Sequence, residues 1–190
     1  MTLMATDCGF TLDHYRDILE ALKKRRLMLF RDVDTSSVKI DPIVIIRHDV
    51  DFSVEAAFEM AQLEHQLGVY STYFIRIDAR YYNPFELTNL QKLQQILKLG
   101  HDIGLHYSTA HAELQDVSLH ESVGRQLRAL RELLGHNIIA GAPHEHSRSG
   151  VDIKDLLGHT PLTVDAYEPR FVKEMKYISD SSGRWRDGCA

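Results

Sequence analysis

Cysteine is nearly missing from this 190-residue chain: only Cys8 and Cys189 occur, one near each end. Two such distant thiols make no disulfide framework and no metal-ligand spacing, which fits a reducing compartment. No apolar run reaches 18 residues, and Asp7 precedes any long apolar stretch, so neither a membrane span nor a leader peptide is expected. Cationic excess is also missing. Lys and Arg number 22 against 27 Asp and Glu, a formal charge of -5, which argues against a nucleic-acid-binding surface. The local basic cluster Lys23 to Arg26 reads as a solvated helix end. Neither glycine-rich phosphate-binding loop is present, so a nucleotide-binding fold is poorly supported. With no repeat, linker or low-complexity stretch, one domain over residues 1–190 is expected, in the cytoplasm.

Histidine, by contrast, is abundant, at 11 residues. The most informative stretch runs from Ile43 to Asp51, where an apolar run after Pro42 ends abruptly in ionisable groups. Four aliphatic residues in a row, Ile43 to Ile46, read as a strand buried on both faces, the mark of a parallel sheet covered by helices. Such a strand needs no acids, yet His48, Asp49 and Asp51 stand at its carboxyl end, where α/β folds collect ligands and chemistry. Asp49 and Asp51 alternate as on a strand and therefore share one face.

The rest of the chain alternates strand and helix. Helical spacing covers Leu12 to Lys24, with Thr11 as cap; Leu27 to Ile40 is mixed, with a short strand and a turn at Ser36-Ser37. Ser53 caps a helix from Val54 to Leu67, in which Ala57, Met60, Ala61 and Glu64 share one face and Gly68 terminates. A strand follows over Val69 to Ile77, then a helix from Phe85 to Leu99 and a strand from Asp102 to His106. A helix from Val117 to Leu134 ends at Gly135, followed by strands at Asn137 to Ala142, Leu162 to Val164 and Lys176 to Ile178. This order predicts a parallel sheet with right-handed crossovers.

Three strand ends deliver ionisable groups: His48, Asp49 and Asp51; His106 and His111; His144, Glu145 and His146. A single divalent ion accounts for all three, since carboxylate and imidazole together suit zinc and other first-row metals. Each group also has a plain structural reading: Asp51 as a helix cap, His106 as a satisfied interior histidine, His144 and His146 as flanks of a turn. His101, at the opposite end of its strand, reads as structural; His14, His65, His120, His136 and His159 read as partnerless surface groups.

At these residues the chain resembles the polysaccharide deacetylases, carbohydrate esterase family 4 with the NodB-homology domain. The matching stretches are Arg47-His48-Asp49-Val50-Asp51-Phe52-Ser53, Ser71-Thr72-Tyr73-Phe74 and Gly100 to Tyr107, with Tyr177 to Ser181 and Arg184-Trp185-Arg186 late in the chain. They are most similar to the Arg-His-Asp-Val-Asp branch linked to bacterial surface-polysaccharide biosynthesis. The resemblance implies an α/β fold, a deformed, partly open (β/α) barrel. It implies Asp49 as catalytic base, with Asp51 and His106 as metal ligands and zinc as the expected ion. His111 is the nearest match to the second metal histidine, although it follows His106 by five residues where the family uses four. Where the family has an arginine and paired prolines, this chain has Ala142 to Arg148, which removes a base-positioning arginine and adds His144 and His146. No Leu-x-His follows Trp185, so His144 or His146 is expected to supply the leaving-group proton.

The implied activity is removal of an acetyl group from a sugar, nucleotide- or lipid-linked, by a metal-dependent hydrolase. Two rivals remain open: a binding module that keeps the fold without turnover, and a hydrolase of a non-sugar amide.

Overall fold

The computed structural model describes residues 9–33, 43–144 and 150–180. The expected turn at Ser36-Ser37, His146, Trp185 and both cysteines lie outside those residues.

Five parallel strands form the main sheet in the order β3-β4-β5-β6-β7: β3 (Arg47–Val50), β4 (Thr72–Ile75), β5 (Asp102–Tyr107), β6 (Ala140–Pro143) and β7 (Val164–Asp165). Sequential order with parallel pairing requires a crossover between every pair of strands. Helix α2 (Val54–Gln66) supplies the first, α3 (Leu87–Lys98) the second, and α4 (Ala110–Gln115) with α5 (Leu119–Leu134) the third. A shorter α6 (Ile153–His159) supplies the fourth, and α7 (Pro169–Val172) follows β7. Upstream, α1 (Leu12–Leu22) precedes a separate two-stranded parallel sheet of β1 (Arg26–Leu27) and β2 (Ile43–Val44).

The long helices begin where their caps dictate. Thr11, Ser53 and Ser118 each accept a backbone N–H from the first turn, and Gly135 closes α5 at φ 61°, in the left-handed region.

The expectation for Ile43 to His48 needs correction. That run is not one buried strand: Ile43–Val44 pairs with β1, Ile45 and Ile46 link the two sheets, and the main sheet begins only at Arg47. Arg47, His48 and Asp49 therefore lie within a central-sheet strand rather than at its end. A strand can carry them because its two faces meet different surroundings. Tyr73, Ile75, Ile103, Leu105 and Tyr107 point to one face and pack with Ala57, Leu93, Ile96 and Leu127 of the crossover helices in the main core. Phe74, Ala140, Ala142 and Val164 point to the other, inner face and pack with Phe30 and Phe171. On that face Gly104 is required: a Cβ there would sit 2.4 Å from the Phe74 ring.

Other boundaries shifted as well. Lys176 to Ile178 forms no strand, and β7 starts two residues beyond the predicted Leu162, because it is Val164 and Asp165 that pair with Ala140 and Gly141. Helices α4, α6 and α7 were not predicted; each is seven residues or shorter, too brief for periodicity to register.

Candidate metal centre

Strand register assembles the site. The last residues in register across β3, β4 and β5 are Val50, Ile75 and Leu105, so Asp51, Arg76 and His106 follow together at the carboxyl edge, with Ala142 of β6 paired to His106. His144 stands two residues beyond Ala142 and so falls on the same face. Asp51, His106 and His144 place three ligand atoms within 4.8 Å of one another. The His106 Nε2 to Asp51 Oδ1 distance is 3.7 Å, His144 Nδ1 to Asp51 Oδ1 is 3.4 Å, and the two imidazole nitrogens are 3.4 Å apart. Ligand atoms held about 2.1 Å from a tetrahedral ion stand roughly 3.4 Å apart. The triangle has that size.

Two further observations fit the group to a divalent ion. Asp51 Oδ1 is buried without a hydrogen-bond partner, a vacancy that normally costs stability. His106 is buried, and its Nδ1 lies 2.9 Å from the Ala142 carbonyl oxygen, which can only accept. The ring proton therefore sits on Nδ1 and the Nε2 lone pair faces Asp51, the orientation that metal-ligating histidines adopt.

Arg76 borders the triangle. Its Nη1 is 2.7 Å from His144 Nε2 and 3.6 Å from Asp51 Oδ1. A guanidinium only donates, so His144 Nε2 accepts and Nδ1 carries the ring proton, towards Asp51; an ion at Nδ1 would displace that proton.

The structure separates other residues that the sequence had grouped. His111, the ligand the resemblance implied, is not at the triangle: α4 turns it onto Asp78, with Nε2 3.3 Å from Oδ2, and His144 takes the third corner instead. His111 and Asp78 line a cleft of about 540 Å³ together with Ala110, Glu113 and Leu114. Burial raises the Asp78 carboxyl, but Arg76 and His111 outweigh it and hold it below its ordinary value. Through Arg76, whose Nε is 3.1 Å from Asp78 Oδ1, the His111 pair adjoins the triangle.

Asp49 lies on the inner face one alternation before Asp51. Its Oδ2 is 3.4 Å from Arg47 Nη2, and its Oδ1 is buried without a hydrogen bond. Arg47 stacks over the Tyr167 ring at 4.2 Å and donates to the Tyr177 hydroxyl at 3.0 Å. Burial disfavours its charge, but Asp49 and the two tyrosines more than restore it, so Arg47 stays cationic. Arg47 thus stands two residues before Asp49 on the same strand and face.

On the helix-facing side of the same strands is a second ionisable cluster, around Glu64 of α2, which is fully buried. Tyr73 Oη donates to it at 2.8 Å and Ser71 Oγ at 2.6 Å, Tyr15 also donates, and His48 Nε2 stands 2.6 Å and His101 Nδ1 3.3 Å away. Burial pushes the carboxyl up, but His48, Ser71 and Tyr15 together bring it down to about 2. His101 is structural, as expected, with Nε2 2.9 Å from the Ala61 carbonyl. Tyr107 is a buried core residue donating to Asp165.

The expectation of partnerless surface histidines fails for several. His136 contacts Asp102, which Arg31 also grips with two hydrogen bonds; His120 and His159 flank Asp155; His65 Nδ1 meets the Leu99 carbonyl. Sequence reasoning also missed Arg76 and Glu64. Glu64 did carry a signal, an acid on the apolar face of its helix.

No family model matches this sequence, and no curated protein matches it. Solved structures do. The chain is similar to the Streptococcus pyogenes deacetylase PplD in complex with acetate, at 14% identity and TM-score 0.51, over 68% of this chain and 61% of that one. It is similar to IcaB from Ammonifex degensii at 14% identity and TM-score 0.52, over 82% of this chain and 75% of that one. The peptidoglycan deacetylase PdaC from Bacillus subtilis matches at 13% identity and TM-score 0.44, over 74% of this chain and 57% of that one. The chain therefore spans less than two thirds of the length of PplD. The likeness defines the fold: an open parallel (β/α) sheet of the polysaccharide deacetylase type. Among the described residues, no helix is long and apolar enough to cross a membrane.

Proposed function

We propose that this protein is a metal-dependent hydrolase that removes an acetyl group from a sugar, in bacterial surface-polysaccharide (O-antigen-like) biosynthesis. The observation that carries this reading is the convergence of Asp51, His106 and His144 at the carboxyl edge of the sheet, with an orphaned carboxylate oxygen facing two imidazoles. Asp51, His106 and His144 would hold the ion, with zinc the best match to one carboxylate and two imidazoles. A divalent ion in such a site acidifies water and polarises an acyl carbonyl.

The chain's own groups supply the proton chemistry. Asp49 accepts the proton of the attacking water through its unpartnered Oδ1, and cationic Arg47 orients the carboxylate. The departing nitrogen or oxygen needs a proton in return. With His144 given to the ion, His111 becomes our candidate for that donor, its Nε2 held 3.3 Å from Asp78 Oδ2 in the cleft. The acetylated sugar, nucleotide- or lipid-linked, would be met in the cytoplasm, within a single domain.

One observation favours the rival binding module: the Arg76 guanidinium already contacts His144 and Asp51, putting a positive charge beside the place an ion would take. A single experiment separates the two. Acetate release is measured from N-acetylglucosamine oligomers and from UDP-N-acetylglucosamine, with zinc, for the wild-type protein and the Asp49→Ala variant. Loss of a general base should cost about 100- to 10,000-fold in rate. Equal release by both proteins removes Asp49 from the mechanism. No release by either favours the binding module, and release from small non-sugar amides alone redirects the substrate class.

A further inference from the structure

Phe52 follows Asp51 directly in the chain, yet its side chain points outward and is 69% exposed. Tyr81, 60% exposed, stacks on it with ring centroids 5.1 Å apart and planes 30° apart. Two large aromatic rings stacked on each other in water, at the mouth of an ionic cluster, contribute nothing to either hydrophobic core.

The pair is held in place from below. The half-buried Tyr82 hydroxyl donates to the Val50 carbonyl at 2.7 Å and accepts the Arg76 N–H at 3.1 Å, tying the loop after β4 to the end of β3. Neighbouring residues of each tie, Asp51 and Arg76, face the triangle; the adjoining Phe52 and Tyr81 face solvent. Burial raises the Tyr82 hydroxyl above its ordinary value, so it stays a donor across the working range. Arg80 lies over the Tyr81 ring at 5.6 Å and gives the surface a cationic rim.

We infer that Phe52 and Tyr81 form a stacking platform for a pyranose ring of the substrate, immediately beside the Asp51–His106–His144 group. The inference rests on the carbohydrate reading above and specifies how the sugar is held. The C–H face of a pyranose is apolar and carries partial positive charge, which suits the negative face of an aromatic ring, while its hydroxyl rim suits a flanking ionic group such as Arg80. Size argues for the same occupant. Two aromatic side chains, each about 150–250 Å² in all, expose a few hundred Å² at most, against about 800 Å² per partner in a stable protein interface. A ring pre-held by the Tyr82 ties loses little freedom on binding, which favours a small ligand.

The test compares wild-type protein with the Phe52→Ala/Tyr81→Ala double variant, two exposed positions at which truncation is tolerated. A β-linked N-acetylglucosamine tetramer and 4-nitrophenyl acetate are the probes. The expected result is a fall of at least tenfold in kcat/KM for the tetramer relative to that for the small ester, carried by KM. An unchanged ratio overturns the platform. Binding is read separately, by saturation-transfer NMR on the tetramer: wild type should transfer magnetisation to the sugar C–H protons and the double variant should not. Transfer in wild type without acetate release sinks the hydrolase reading and leaves the platform standing. Equal transfer to both proteins, or none to wild type, removes the platform whatever the activity.

Discussion

Glu64 and Asp51 stand on opposite faces of the same parallel sheet, each among histidines, and their surroundings could hardly differ more. Around Glu64, the hydroxyls of Tyr15, Ser71 and Tyr73 and the rings of His48 and His101 converge on two oxygens. Every acceptor site is filled from within the chain. Asp51 instead keeps Oδ1 buried without a hydrogen bond, while two imidazole nitrogens face it at 3.4 and 3.7 Å. A saturated buried carboxylate stabilises the fold. An unsaturated one, with two imidazole nitrogens set around it, is a place kept for something from outside.

The sharpest way to break this comparison is to remove each carboxylate in turn. Glu64→Ala leaves the His48 imidazole and three hydroxyls without their acceptor, and should cost about 3–5 kcal/mol in urea unfolding. Asp51→Asn should cost less than about 1 kcal/mol in the same measurement. A comparable loss at both positions would erase the distinction.

A third buried carboxylate sharpens it. Among the described residues, Asp165 accepts the Tyr107 hydroxyl and the Tyr167 N–H and has no histidine ion pair. Burial prevails there and pushes its carboxyl up to about 6 from an ordinary 3.8. The folded protein thus keeps a proton that the unfolded chain has already released. Its contribution is greatest below about pH 4 and is lost as pH rises to about 6, a change of about 3 kcal/mol. Asp165→Asn should flatten that decline, seen as the wild-type-minus-variant difference in urea unfolding from pH 4 to 7. For Glu64 the sign reverses: its contribution is present above about pH 4.5 and is lost as pH falls through about 2.

Ion binding gives the next largest effect. Zinc at 100 times its Kd should stabilise the wild-type protein by about 2.7 kcal/mol, measured as a Tm increase, and should leave Asp51→Asn and His106→Ala unmoved. An equal rise in all three proteins would place the ion elsewhere. The smallest effect is expected at the exposed His120–Asp155 contact, where Asp155→Asn should change stability by no more than about 1 kcal/mol.

Much of the fold was legible because it rests on local signals. Thr11, Ser53, Ser118 and Gly135 punctuate helices in the way their side chains and backbone freedom require. The strands β4 and β5 emerged from apolar runs bounded by glycine. The run from Ile43 to Ile46 misled, because continuous hydrophobicity cannot tell one central strand from an edge pair joined to a second sheet. At the site, Asp49, Asp51, His106 and His144 were all visible as strand-end groups. His111 was drawn in by proximity in sequence, yet a short helix carries it to Asp78. Arg76 went unseen, since a lone arginine after a strand has no pattern until register sets it level with Asp51 and His106.

By itself the amino-acid order determined which residues are helical, which are extended, and that ionisable groups cluster at strand ends, because these follow from side-chain periodicity and backbone chemistry within a few residues. The tertiary structure decided which of those groups meet. Register across four strands, β3 to β6, sets Asp51, His106 and His144 at one corner, and the alternation of strand faces sends His48 to Glu64 on the other side. Partnership between side chains about 40 to 90 residues apart depends on packing of the whole sheet, and no local pattern encodes it.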